Sequence, residues 1–202
     1  MYIDLTHTFT ENMPVFPGDS PAELVKGVDD FITHYEIKTG MHVGTHMDAP
    51  VHMVPDGKYL HEYPAEKFFG RGVLIDSRGK PSADADLLTG RDIQAGDIVL
   101  VCFGWGKKFR QSDYFENYPV LTEGFANKLV ELGVSIVGMD TSGPDHAPYN
   151  IHKILLAHDI LIIENLTNLE ALIGQTNFEI IALPAKFQAE AAPCRVVARD
   201  IT

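Results

Sequence analysis

Residues 41–53, MHVGTHMDAPVHM, set His42, His46, Asp48 and His52 within thirteen positions, with Gly44 and Pro50 between them. Imidazole nitrogen and carboxylate oxygen are the usual ligands of zinc, manganese and iron, so this is the inventory of a metal or catalytic centre. All four residues hold even positions, and an extended pleated chain would aim them to one side. A helix would instead place His42 and His46 one turn apart, as in the H-E-x-x-H zinc proteases. Gly44 and Pro50 oppose a helix, and the glutamate that motif needs after its first histidine is missing. A straight strand would separate the two histidines by about 13 Å at ~3.3 Å per residue, too far for both to reach one ion at ~2.0 Å. The spacing therefore predicts a bend at Gly44, with Pro50 stiffening the approach to His52.

The elements that must position this segment alternate between strand and helix. DIVLVCF (97–103) reads as a buried strand, and VSIVGMD (134–140) as another. Between them LTEGFANKLVELG reads as a helix, with Thr122 as N-cap, Phe125, Leu129 and Leu132 on one face, and Gly133 as its stop. Strand, helix and strand at this spacing predict a right-handed crossover and a parallel pair, and GVLIDS, FEIIAL and CRVVARDI supply further strands. The fold class is α/β. YNIHKILLAHDILIIENLTNLEALIG reads as a short helix carrying His152, a break at His158 and Asp159, the strand ILIIE, and a further helix capped by Thr167 or Asn168. Glu164 then ends a buried strand, where open α/β sheets place their chemistry. By chemistry alone His152 is equally a helix-surface histidine, and Glu164 a strand-end carboxylate. His7, His34, His61, His146 and His158 read as satisfied core or surface residues.

A chain of 202 residues, 45% hydrophobic, suits one domain over 1–202. The turn signals PGDSP, RGKP and SGPD are loops inside it. Sixteen basic against 28 acidic side chains give a net charge of -12 without a basic cluster, which disfavours nucleic acid as a partner. Cys102 and Cys194 make no disulfide framework, and the start MYIDLTHTFTENM has neither the basic nor the apolar region of a secretory signal. A cytoplasmic location is expected. No apolar run approaches the ~20 residues of a spanning helix, so no membrane partner is expected.

The pattern H-x-G-T-H-x-D-A-P-x-H, carried by His42 to His52, resembles the cyclase family of metal-dependent hydrolases, which includes bacterial kynurenine formamidases (arylformamidases) and isatin hydrolases. IDLTHTFTENMPVFPGD is similar to that family's N-terminal segment, and HKILLAHDILIIENLTNL to its second metal segment. The resemblance implies that His42 and His46 bind one metal, that Asp48 bridges to a second, and that His52 transfers protons. It places His152 on the second metal and Glu164, twelve residues later, on both. It also implies two divalent ions per chain, zinc first and manganese as the alternative, a swivelling β/β/α fold, and a homodimer or homotetramer. Formamidases of the family often carry Trp where this chain has Phe16, which leaves the identity of the small-molecule substrate open.

Bound dications ionise water near neutral pH and polarise carbonyl oxygens, equipment suited to amide hydrolysis with His52 carrying the proton to the leaving nitrogen. Phe16, Trp105 and Phe103 are the candidate walls of an aromatic pocket, although core packing is the commoner fate of Phe103. A rival reading takes His46, Asp48 and His152 as the 2-His-1-carboxylate triad of a non-haem iron oxygenase. Such enzymes are double-stranded β-helices with Arg about ten residues beyond the distal histidine, where Ile162 stands here. A non-catalytic metal-binding scaffold is the other rival, against which His52 stands as a group left over for proton transfer.

Overall fold

Every residue of Ile98–Cys102 is apolar and buried, as befits a strand covered on both faces. The computed structural model describes residues 1–201. Its strands are β1 (Tyr2–Asp4), β2 (Glu23–Asp29), β3 (Ile32–Lys38), β4 (His46–Asp48), β5 (Phe69–Asp76), β6 (Ser82–Ala83), β7 (Ile98–Cys102), β8 (Val120–Leu121), β9 (Ile136–Met139), β10 (Leu161–Glu164), β11 (Phe178–Pro184) and β12 (Ala191–Asp200). Two helices, α1 (Glu123–Leu132) and α2 (Asn150–Ala157), precede β9 and β10. The order β12-β11-β5-β7-β9-β10-β4 closes on itself because β4 also pairs with β12, making a barrel-like ring of seven strands with β1 on the outer edge of β12.

Alternation along the strands divides the core into two layers. Ile98, Leu100 and Cys102 of β7 join Met47, Leu161, Ile163, Ile180 and Val196 inside the ring. Val99 and Val101 face the other way and pack with Val137, Ile162, Phe125, Leu129, Ile151 and Leu155, so the two helices cover one outer wall. The predicted parallel pair is present as β7 with β9, flanked by parallel β5 and β10. These parallel strands and their covering helices separate the fold from the double-stranded β-helix that the oxygenase reading requires.

Thr122 accepts from the Phe125 amide, and Gly133, at φ 68, closes α1 as predicted. Two local expectations change. The segment 41–53 is not one extended strand: only His46–Asp48 is, the chain turns before it with Gly44 at φ 72, and Pro50–His52 forms a 3₁₀ turn. The helix expected after Asn168 is a 3₁₀ turn, Leu169–Leu172, without a side-chain cap. Asn168 spends its amide on the Asp4 carbonyl at 2.8 Å instead, so neither Thr167 nor Asn168 caps it.

Candidate metal centre

Strand β4 runs antiparallel to β10 with Glu164 opposite His46 and Ile162 opposite Asp48. Met47 and Ile163 point into the ring, so the period of two sends His46, Asp48 and Glu164 together out of the opposite face. That face looks toward α2, whose His152 brings Nε2 to 3.1 Å from Glu164 Oε1. Glu164 Oε2 lies 3.3 Å from His46 Nε2. The bend at Gly44 then returns His42, whose Nδ1 is 3.2 Å from His46 Nε2 and 3.0 Å from Asp48 Oδ1. His46 and Asp48 are 0% exposed, and Glu164 and His152 5%. Five of the six residues singled out by their chemistry thus meet at one point, and the His52 ring lies 4.4 Å from that of His42 and 6.1 Å from that of His152.

The geometry fits a divalent cation. Two groups, His42–Asp48–His52 and His46–Asp48–Glu164, each bring three potential ligand atoms within 4.8 Å of one another and share Asp48. Neither oxygen of buried Asp48 accepts a well-directed hydrogen bond, although His42 and His46 lie within ion-pair distance. Buried polar atoms are otherwise satisfied as a rule, so an unsatisfied carboxylate facing imidazole lone pairs is what a cation site requires. The tautomers agree. His46 Nδ1 is 2.8 Å from the Gly44 carbonyl and His152 Nδ1 is 2.5 Å from Asp145 Oδ1, so each donates there and turns Nε2 toward a carboxylate. With no cation present, burial opposes charge on every member, but mutual attraction overcomes it. Asp48 and Glu164 are held below their usual values by the neighbouring histidines, and His46 and His152 above theirs, His152 at about 10.

Several supporting residues escaped sequence reading. Asp145, in the SGPD loop, also accepts the Ile151 amide at 2.6 Å, fixing the start of α2 together with His152. Asn165 follows Glu164 in a left-handed turn at φ 55. Its side-chain Nδ2 donates to the Gly44 carbonyl at 3.1 Å, and its backbone carbonyl accepts from Thr45 Oγ1 at 2.6 Å, which locks the bend onto the strand end. An Asn directly after a strand-ending Glu was the available signal, since Asn tolerates positive φ.

A cavity of about 270 Å³ opens over His42, Asp48, His52, His152 and Glu164. Its outer walls are Phe16, Asp19, Met53, Phe115, Tyr118 and Tyr149. Phe16 lines the cavity and packs edge-on against Phe115 at 5.7 Å. Trp105 does not line the cavity: its indole donates to the Tyr114 carbonyl at 2.9 Å, and its ring packs against the outer core layer and a smaller cluster that includes Met13, Phe109 and Tyr114. Phe103 is core, at 5% exposure.

A family model described as Putative cyclase matches residues 3–146. The chain belongs to the cyclase family. Among its relatives, an uncharacterized protein of Methanocaldococcus jannaschii is 33% identical over 199 residues, covering 97% of each chain. Kynurenine formamidase of Bacillus cereus is 28% identical over 213 aligned positions, covering 99% of this chain and 98% of that one. Among solved structures, isatin hydrolase A from Labrenzia aggregata, bound to benzyl benzoate, superposes with a TM-score of 0.87 at 26% identity, covering 100% of this chain and 94% of that one. Two of these three relatives carry the names of hydrolases, and the mixed α/β ring is the fold of the cyclase family.

Proposed function

We propose that this cyclase-family chain is a metal-dependent amidohydrolase that cleaves the C–N bond of a small aryl formamide, such as N-formylkynurenine, or of a cyclic aryl amide, such as isatin. One water is consumed; a formamide gives an amine and formate, and a cyclic amide gives one ring-opened molecule that carries both the amine and the carboxylate. The reading rests on one observation above the rest: Asp48 and Glu164 are buried against imidazole nitrogens with no lysine or arginine beside them among the described residues. Two divalent ions, zinc first and manganese second, would be held by His42, His46, Asp48, His152 and Glu164. When bound they would supply an ionised water and a Lewis acid for the carbonyl oxygen.

The chain itself does the rest. The His52 ring makes no hydrogen bond among the described residues, and it faces the cavity above the carboxylates, free to take a proton from water and return it to the leaving nitrogen. Burial lowers its pKa and outweighs the neighbouring Asp48 carboxylate, which raises it, so the neutral base prevails at neutral pH. Phe16, Phe115 and Tyr149 offer ring faces and edges to an aromatic acyl or amine portion. The cavity is slightly below the ~300 Å³ lower bound of ordinary ligand sites, which suits a one- or two-ring substrate. Trp105 serves indirectly, by holding the loop that presents Phe115.

A homodimer or homotetramer belongs to the same reading. The hairpin β2–β3 exposes Val28, Phe31, Ile32, Tyr35 and Ile37, and an isolated two-stranded hairpin is marginal in water until something covers it. A cytoplasmic location is part of the proposal, and no helix among the described residues is long and apolar enough to cross a membrane. The test is an assay of purified protein on N-formylkynurenine and isatin before and after chelation. Turnover abolished by chelation and restored by zinc or manganese is expected; turnover of either compound by fully chelated protein would overturn the proposal.

A further inference from the structure

The three imidazoles aimed at the candidate cations are not held alike. His46 and His152 have their remote nitrogens on buried acceptors, the Gly44 carbonyl at 2.8 Å and Asp145 at 2.5 Å. His42 lies in the turn before β4, outside any strand ladder, and its side chain is 26% exposed. Its Nδ1 faces Asp48, and its Nε2 faces Glu190 Oε1 at 3.5 Å, on a side chain that is 43% exposed. Histidine ligands work best when the second nitrogen donates to an oxygen, which fixes both tautomer and ring plane.

We propose that Glu190 is a positioning residue that fixes the ring of His42 and thereby sets how tightly the outermost ion is kept. Its place is not accidental. The Glu190 carbonyl accepts the Ala49 amide at 2.9 Å, and the next residue, Ala191, pairs with Asp48. The ladder that carries Asp48 therefore also carries Glu190, and it sets the carboxylate against the far nitrogen of His42 while the near nitrogen faces the candidate cation site beside Asp48. The ring is then held from the rim by Glu190, and its inner nitrogen is left free to ligate. Because the rim contact is long and half-exposed, His42 is the least firmly held of the three imidazoles, and the ion it helps to hold is the one that exchanges first.

The inference rests on the metal-dependent reading, and zinc titration against a chromogenic chelator tests both separately. In Glu190→Ala the most weakly held zinc should bind roughly 10- to 100-fold less tightly, the usual consequence of removing a histidine's oxygen partner. Glu190→Gln keeps an acceptor oxygen and should recover most of that loss. The melting temperature of the chelated protein should be the same in all three, because the contact matters only for a loaded site. Wild-type zinc affinity in Glu190→Ala would overturn the role of Glu190, as would a loss matched by an equal drop in the stability of the chelated protein. A wild-type chain that binds no zinc or manganese at all would instead overturn the metal-dependent reading, and Glu190 with it.

Discussion

His52 sits beside the candidate ligands without a hydrogen bond of its own among the described residues, so its removal should separate chemistry from metal binding. His52→Asn is expected to keep the metal content of the wild type and to lower kcat roughly 10²- to 10⁴-fold, the usual contribution of one positioned acid-base group. The sign of the pH effect follows from the environment. Burial puts the pKa below the ordinary 6.5, against the opposing pull of Asp48. The active base is then lost only as pH falls through that lowered value, so kcat should decline on the acid side and the variant should lack that limb. Metal loss in His52→Asn would make the residue a ligand. Phe16→Ala should raise KM about threefold to tenfold, the worth of one aromatic contact; unchanged KM on every substrate turned over would remove Phe16 from the pocket. At this scale much was legible, because four of the polar groups fall within one short segment whose spacing excluded helix and straight strand. Asp145 and Asn165 were not legible, since the partners that give them purpose stand on α2 and at the Gly44 turn.

Gly44 joins local backbone to the site more directly than any other turn residue. Its φ of 72 is left-handed, and a Cβ there would meet Met13 Cε at 2.7 Å. Gly44→Ala should therefore cost about 1–2 kcal/mol for the backbone alone. Zinc affinity should fall with it, because the Gly44 carbonyl orients His46; a melting curve and a chelator titration would show both, and a variant with neither change would contradict the role given to the bend. The bend was predicted from distance alone, and α1 from its cap, stripe and stop. What the sequence hid was β4, a strand of only three residues, because its partners come from β10 and β12 far along the chain. The 3₁₀ turn at Leu169–Leu172 was read as a helix because a good capping residue was present, but Asn168 is engaged elsewhere.

The closed ring is a property of the whole chain: Asp48 pairs with Ile162 on one side and with Ala191 on the other. Such closure cannot be read from periodicity, which marks strands but not their neighbours. The same holds for the exposed β2–β3 hairpin, because periodicity does not tell what packs against a face. If a second copy covers it, Ile32→Lys with Ile37→Lys should shift the protein to monomer in light scattering, while a wild type that is already monomeric would refute the assembly. The catalytic and metal-binding expectations depend on cations at the buried face shared by β4 and β10. Elemental analysis of purified wild type and Glu164→Gln, with turnover measured on the same samples, tests that dependence most directly. The account predicts close to two divalent transition-metal ions per wild-type chain, and loss of metal and turnover together in Glu164→Gln; an active wild-type preparation free of transition metal would contradict it.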